Sequence, residues 1–87
     1  KEIKSKNYEV KVYPNPAKDQ LFIDGINDNS VIEIYSINGN LVKQMILSSS
    51  NFIGINELPA ATYVIKITNV KTNQFGTSKF IKSEWFR

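Results

Sequence analysis

Apolar and polar residues alternate over most of the 87-residue chain. The segments around Val10, Leu21, Ile32 and Ile65 each place an apolar residue at every second position. This period of two is typical of a β-strand, in which successive side chains point to opposite faces. No stretch of useful length shows the apolar spacing of an amphipathic helix. The pattern therefore predicts an all-β domain in which each strand buries one face.

Short clusters of Asn, Asp, Gly, Pro and Ser divide these segments into about seven short strands. The predicted strands are Tyr8–Tyr13, Gln20–Asp24, Val31–Ser36, Leu41–Leu47, Asn51–Asn56, Thr62–Asn69 and Thr77–Lys82. Strands of this number and spacing predict an immunoglobulin-like sandwich of two antiparallel sheets. The predicted core consists of Val10, Val12, Leu21, Ile23, Ile32, Ile34, Ile55, Leu58, Tyr63, Ile65, Ile67 and Phe80.

Asn38-Gly39 is the sharpest turn signal in the sequence. Both central residues of a type I′ turn need positive φ, which Asn and Gly tolerate best. We therefore expect Ile32–Ile37 and Leu41–Leu47 to form a β-hairpin around this pair.

Two prolines flank Asn15 directly after the first predicted strand. Pro14 and Pro16 have no N–H and fix φ at about −65°, so a strand cannot keep pairing through them. We expect a stiff corner that carries the chain from one sheet to the next. The Asn15 side chain is expected to hydrogen-bond the local backbone at that corner.

The composition fits one small globular domain. Apolar residues make up 41% and charged residues 22% of the chain, and no apolar run approaches the roughly 20 residues that span a bilayer. The net charge is +3, and many of the basic residues are near the two ends of the chain. This distribution does not favour nucleic-acid binding. Lys1–Asn7 reads as a linker and residues 8–87 as the domain. Because the chain begins with Lys1 rather than Met, we expect it to be a piece of a longer polypeptide, with any signal peptide outside it.

The sequence lacks the residue types on which most catalytic and metal sites depend. There is no cysteine and no histidine, which removes disulfides, thiolate zinc sites and the commonest general base. Asp19, Asp24 and Asp28 lie close in sequence, but their spacing does not match a calcium loop of the helix–loop–helix kind. The four glycines are too far apart to form a phosphate-binding loop. We expect no enzymatic activity, no metal and no cofactor.

Aromatic residues offer a weak argument for carbohydrate binding. A sugar-binding sandwich needs a flat row of rings, whereas the outward rings are scattered over different strands and loops, a distribution that favours a role in covering strand edges. These outward aromatics are Tyr35, Phe52, Phe75, Trp85 and Phe86. Composition and spacing alone leave three alternatives: a structural spacer, a carbohydrate- or surface-binding module, or an address label.

Four segments carry distinctive motifs in a fixed order: "VYPNPAKDQLFI" (Val12–Ile23), "VIEIYSINGNLV" (Val31–Val42), "INELPAATYVIKI" (Ile55–Ile67) and "KFIK" (Lys79–Lys82). The first has a P-N-P-A signature, the second a glycine turn between two alternating strands, the third an L-P-x-x-x-Y segment and the last a basic–apolar–apolar–basic finish. Taken together, they resemble one family, the type A C-terminal sorting domains of the type IX, or Por, secretion system. The resemblance extends over nearly the whole chain.

Two features depart from the family pattern. Ala61 stands where the family usually has glycine before Thr62-Tyr63; if that glycine serves a positive-φ turn, Ala61 must accept strain or reshape the turn. The chain also continues past Lys82 with Ser83–Arg87, whereas members commonly end near the basic pair.

The resemblance implies a secretion signal rather than a catalyst. Such domains follow a cargo protein in certain Gram-negative bacteria, address it from the periplasm to the outer-membrane translocon, and are removed at the cell surface by a separate sortase-like cysteine protease. Lys1–Asn7 would then link the domain to upstream cargo, with the cleavage site in or before Lys1–Tyr8.

We expect the translocon to recognise the final strand, helped by the proline corner. A partner could add a strand to that edge. Phe80 is expected to anchor inward, while Lys79 and Lys82 stay outside and steer an acidic partner; the alternative is that both lysines merely guard the edge against aggregation. The candidate recognition residues are Pro14, Asn15, Pro16, Ala17, Gly39, Lys79, Phe80, Ile81 and Lys82.

Overall fold

A computed structural model describes residues 10–24, 29–48 and 50–83 of the chain. In these residues the protein forms seven strands and no helix. The strands are β1 (Lys11–Tyr13), β2 (Gln20–Asp24), β3 (Ser30–Ser36), β4 (Leu41–Leu47), β5 (Phe52–Gly54), β6 (Ala61–Asn69) and β7 (Phe75–Lys82). Within the same residues no helix could therefore cross a membrane. The all-β prediction is confirmed.

The strands form two sheets. The small sheet has the order β1-β2-β5 and the large sheet the order β4-β3-β6-β7, and every neighbouring pair is antiparallel. This arrangement is consistent with the predicted β-sandwich. The two edges of the large sheet are thus β4 and β7.

The strand boundaries follow the predicted ones closely. The strands β2 and β4 have the predicted limits, while β3, β6 and β7 begin one or two residues earlier. The strand β5 is shorter than predicted, because the Ile55 N–H donates to the Asp19 carbonyl and the Ile55 carbonyl accepts from Leu58 N–H, which starts a turn. The first two residues of the predicted strand Tyr8–Tyr13 lie outside the described residues.

The predicted core is buried between the sheets, with one exception. Every predicted core residue is buried except Val12, which is half-buried and packs against the cluster. Ala17, Leu47 and Ile53 join the core although the sequence did not predict them. Ile53 follows the period-two rule within β5, whereas Ala17 lies in a loop where no periodicity applies.

The hairpin between β3 and β4 is present, but its predicted type I′ turn is wrong. Among the described residues positive φ occurs only at Gly39 (+92°) and Asn73, so Asn38 does not have the conformation that a type I′ turn requires. Gly39 N–H donates to the Ser36 carbonyl at 2.9 Å, and Ser36 N–H donates to the Asn40 carbonyl at 2.8 Å. This geometry fits a three-residue loop that ends in a left-handed glycine. The register then shifts between Ile34 and Tyr35, which marks a bulge in the hairpin.

The two remaining expectations about turns are also changed by the structure. Ala61 does not have positive φ and pairs with Lys82 inside the large sheet, so it carries no turn strain. The proline corner does not take the chain to the other sheet, because Tyr13 and Phe22 on either side of it pair within the small sheet. The corner instead reaches across to β7, where Ala17 N–H donates to the Ile81 carbonyl.

Candidate functional site

The loop after β1 runs along the outer edge of β7 and bonds to it. Ala17 N–H donates to the Ile81 carbonyl at 2.8 Å, and Ser83 N–H donates to the Ala17 carbonyl at 2.8 Å. The Asn15 side-chain oxygen accepts from Ile81 N–H at 2.9 Å. We call Asn15, Ala17, Ile81 and Ser83 the edge junction. It ties the start of the domain to its last strand.

The edge junction corrects two expectations. Asn15 bonds a backbone group 66 residues away rather than its own turn, because the corner is held against β7 instead of standing alone. The outer edge of β7 is not open for strand addition at Ile81 and Ser83, since Ala17 already forms a parallel bridge there beside Lys82. A strand-adding partner would first have to displace residues 15–17.

The side chains of the edge junction divide between core and solvent. Ala17 is fully buried and belongs to the core cluster, while Pro14 and Pro16 are exposed on either side of Asn15. A methyl group suits the Ala17 position, because the backbone there approaches both the core and β7. The corner therefore buries Ala17 and presents its proline rings to solvent.

Phe80 and Ile81 have opposite environments. Phe80 is fully buried and stacks on Tyr63 at 5.5 Å between ring centroids. The Tyr63 hydroxyl donates to the Pro59 carbonyl at 2.6 Å, and burial raises the pKa of this tyrosine above 10.0. Ile81 is 47% exposed. The alternation along β7 thus puts an apolar side chain on the surface beside Lys79, which is also exposed.

The prediction that Lys82 stays outside is wrong. Its side chain shares the inward face of β7 with Phe80, two residues earlier, and is only 7% exposed. The Lys82 ammonium donates to the Leu58 carbonyl at 3.1 Å, so the aliphatic stem packs inside while the charged end reaches the β5–β6 connection. The sequence held the signal for this outcome, because residues 80 and 82 of a strand share a face.

Glu57 links the same connection to β4. Its carboxylate forms a hydrogen-bonded ion pair with Lys43. This hydrogen bond holds the pKa of Glu57 below its usual 4.5. A backbone hydrogen bond and the charges of Lys43 and Lys82 act in the same direction, while burial acts against them. The β5–β6 connection is therefore held by one lysine from each edge strand of the large sheet.

Four of the nine predicted recognition residues, Asn15, Lys79, Phe80 and Ile81, lie together. A shallow surface pocket is lined by Asn15, Thr62, Lys79, Phe80 and Ile81. We call this lining the junction face; Pro14 and Pro16 instead line a separate open pocket with Phe22 of the small sheet. The junction face combines apolar contact area with one exposed cation.

Gly39 does not belong to the junction face. It lies in the hairpin that leads into β4, and β4 is at the opposite edge of the large sheet from β7. The left-handed conformation of Gly39 gives it a role in the hairpin turn.

The sequence pattern did not predict an aromatic row that lies on the outer face of the small sheet. Tyr13, Phe22 and Phe52 are cross-strand neighbours, with ring centroids 5.6 and 5.7 Å apart. The Tyr13 and Phe22 rings lie 19° from parallel and stack, so they cover part of each other's faces. Only the strand register could have aligned these rings, because they come from three separate segments.

The other outward aromatics do not form a row. Tyr35 and Phe75 are half-buried on the large sheet, and the Lys66 ammonium lies 4.7 Å from the centre of the Phe75 ring. Trp85 and Phe86 lie outside the described residues. In the part of the chain that the structure describes, no group of acidic residues could hold a metal ion.

Comparison with known proteins defines the class of this domain. The model of the secretion system C-terminal sorting domain matches residues 11–83, which include both sheets and the edge junction. The chain therefore belongs to the C-terminal sorting-domain family of the type IX secretion system. A search of curated proteins finds no match.

Among solved structures the chain is similar to PorZ of Porphyromonas gingivalis, described as an essential bacterial surface component of the type-IX secretion system of that human oral bacterium. The TM-score is 0.68 at 20% sequence identity, over 86% of this chain. The chain spans 11% of the PorZ chain, and at this identity the likeness shows a shared fold.

Proposed function

We propose that this domain is the address of a cargo protein that precedes it in the same polypeptide. In this proposal the folded domain directs the cargo from the periplasm through the type IX translocon to the surface of a Gram-negative bacterium. A sortase-like protease then removes it, and the domain catalyses nothing itself. The family match over residues 11–83 is the observation that carries this proposal.

The function is tested by fusing Lys1–Arg87 to a folded reporter in a host that has a type IX system. A sorting domain exports the reporter, whereas an immunoglobulin-like spacer leaves it inside the cell. Export that persists after a core substitution such as Phe80→Asp, which places a charge at a fully buried position, would contradict a signal that depends on the fold.

The junction face is the proposed docking surface for the translocon. Its apolar part includes the exposed Ile81, and Lys79 adds a positive charge that favours an acidic partner. Because the backbone at Ile81 and Ser83 is already bonded, we place docking on the side chains of this face rather than on an added strand at those residues.

A charge reversal at Lys79 tests this surface. Deleting residues 79–87 would remove the buried Phe80 and unfold the domain, so a point substitution is cleaner. Lys79→Glu should lower the export of the fused reporter by about tenfold, the effect of losing about 1.4 kcal/mol of docking energy. Lys71→Glu is the matched control, since Lys71 is an exposed lysine in the turn between β6 and β7. Equal export of both variants, at equal thermal stability, would refute this placement.

Protease cleavage is proposed upstream of β1. Proteases need extended, unpaired backbone, and the backbone from Lys11 to Tyr13 is paired with β2. The proposed bond therefore lies in or before Lys1–Tyr8. Sequencing the N-terminus of the released domain tests this, and a start inside 10–23 would contradict it.

Carbohydrate binding is the second candidate, favoured only by the row of Tyr13, Phe22 and Phe52. The stacking of Tyr13 on Phe22 leaves fewer free ring faces than a flat sugar platform needs. A glycan array probed with the wild-type chain and with Phe52→Ala decides the question. Absence of binding, or binding unchanged by the substitution, removes this candidate.

A further inference from the structure

One edge strand of the sandwich is long, and no described segment bonds along it. The small-sheet strands β1 and β5 have three residues each in the described chain, and β7 is covered in part by residues 15–17 and carries the exposed Lys79. The strand β4 has seven residues and forms the other edge of the large sheet. Proteins commonly protect such an edge with a charge, a proline or a covering segment.

The one charge within β4 does not protect this edge. The Lys43 side chain is 20% exposed and its ammonium is paired with Glu57. The exposed side chains of β4 are apolar or neutral: Leu41 at 48%, Val42 at 42% and Ile46 at 66%, with Gln44 between them. Within β4 the edge therefore presents apolar surface without an unpaired charge; on the neighbouring strand β3, the Glu33 carboxylate accepts a hydrogen bond from the Gln44 side chain at 3.4 Å.

The backbone of β4 is ready to pair. The hydrogen-bonding directions alternate along antiparallel strands, and Ile81 faces away from β6 because it bonds Asn15 and Ala17. Carried through the registers of β6 and β3, this alternation turns the groups of Met45 toward β3 and those of Gln44 and Ile46 outward. Among the described residues, no backbone hydrogen bond from a turn or loop reaches those outward groups.

We propose that β4 pairs antiparallel with β4 of a second copy of this chain, about a two-fold axis through Met45. This register sets Gln44 opposite Ile46 of the other copy, so the outward N–H and C=O groups of both residues find partners. It stays clear of the bulge near the start of β4. The two Ile46 side chains then lie diagonally across the axis, within side-chain reach.

The charge pattern of the β4 edge favours a second copy of this chain as the partner. In an isologous interface residues at the two-fold axis lie near their own symmetry mates, so an exposed charge close to the axis would be repelled. Gln44, Met45 and Ile46 carry no charge, and the charge of Lys43 is neutralised within its own chain. The dimer would join two large sheets and leave the junction face, at the opposite edge, free on both copies.

The proposed dimer is weak, because one strand pair buries less than the roughly 1,200–2,000 Å² of a stable interface. Sedimentation equilibrium of the full chain from about 10 µM to 1 mM should show a rise in mean mass toward that of a dimer. Ile46→Lys should weaken association by at least roughly tenfold, since it brings like charges together at the axis. Val70→Lys is the matched control, because Val70 is 53% exposed in the turn after β6.

Amide hydrogen exchange provides the second readout. Protection of the Gln44 and Ile46 amides should rise with wild-type protein concentration, and this rise should disappear in Ile46→Lys. A wild-type chain that stays monomeric throughout the range would overturn the proposal. So would a dimer in which these two amides exchange at a constant rate, or one that Val70→Lys weakens as much as Ile46→Lys.

Discussion

Substitutions at Lys82 and Lys79 test whether one lysine of the last strand stabilises the fold while the other is available for recognition. Both are basic residues of the "KFIK" segment, yet Lys82 is 7% exposed and Lys79 lies on the surface. Lys82→Ala removes three buried methylenes, worth about 0.8 kcal/mol each, and the hydrogen bond to Leu58, worth about 0.5–1.5 kcal/mol. Relief of the desolvation cost of the ammonium offsets part of this loss. The expected destabilisation is about 2–4 kcal/mol.

This loss is a large share of the stability of a small domain, which is about 5–15 kcal/mol. It should lower the melting temperature by roughly 10–30 °C, measured by circular dichroism at neutral pH. Lys79→Ala should change the free energy of unfolding by no more than about 0.5 kcal/mol, as is usual for a surface position. Lys82→Met keeps the buried stem and should lie between the two. Equal melting temperatures for Lys82→Ala and Lys79→Ala would refute the inward placement of Lys82.

Three further substitutions test the edge junction, the ion pair and the hairpin. Asn15→Ala should lower the free energy of unfolding, measured in urea, by about 1 kcal/mol, because the Ile81 N–H loses its acceptor. Asn15→Asp keeps an acceptor and should lower it by less. Lys43 lowers the pKa of Glu57 from 4.5. The contribution of Glu57 to folding stability is therefore complete above pH 4.5 and disappears as the pH falls through the lowered pKa. Glu57→Gln should flatten the acid side of the curve of stability against pH, and an unchanged curve would count against the ion pair. Gly39→Ala should cost about 1 kcal/mol, since φ is +92°, and an unchanged melting temperature would exclude the left-handed turn.

Local pattern was enough to predict the strands and nearly all of the core. The period of two placed Leu21, Ile23, Ile65 and Ile67 inside, and these residues are buried as predicted. The same rule places Lys82 on the inward face with Phe80, against the usual preference of charged side chains for water. Near the end of a sandwich a lysine can satisfy both requirements, because its stem is apolar and its ammonium can reach a carbonyl.

Long-range pairing was beyond the reach of the sequence alone. The Asn15 contact to Ile81 joins residues 66 positions apart, and nothing in the local pattern of either segment points to the other. The burial of Ala17 could not be predicted either, because it depends on the position of β7. The aromatic row likewise needs the register of three strands. The family resemblance put the right segments together but did not supply their geometry.

The most direct test of the sorting function is the location of a folded reporter fused to Lys1–Arg87 in two hosts that differ only in an intact type IX translocon. The fraction of reporter at the cell surface or in the medium is compared with the fraction in the periplasm. Our account predicts a reporter outside the competent cells and held in the periplasm of the others. A reporter that stays in the periplasm of both hosts, or leaves both equally, would contradict it.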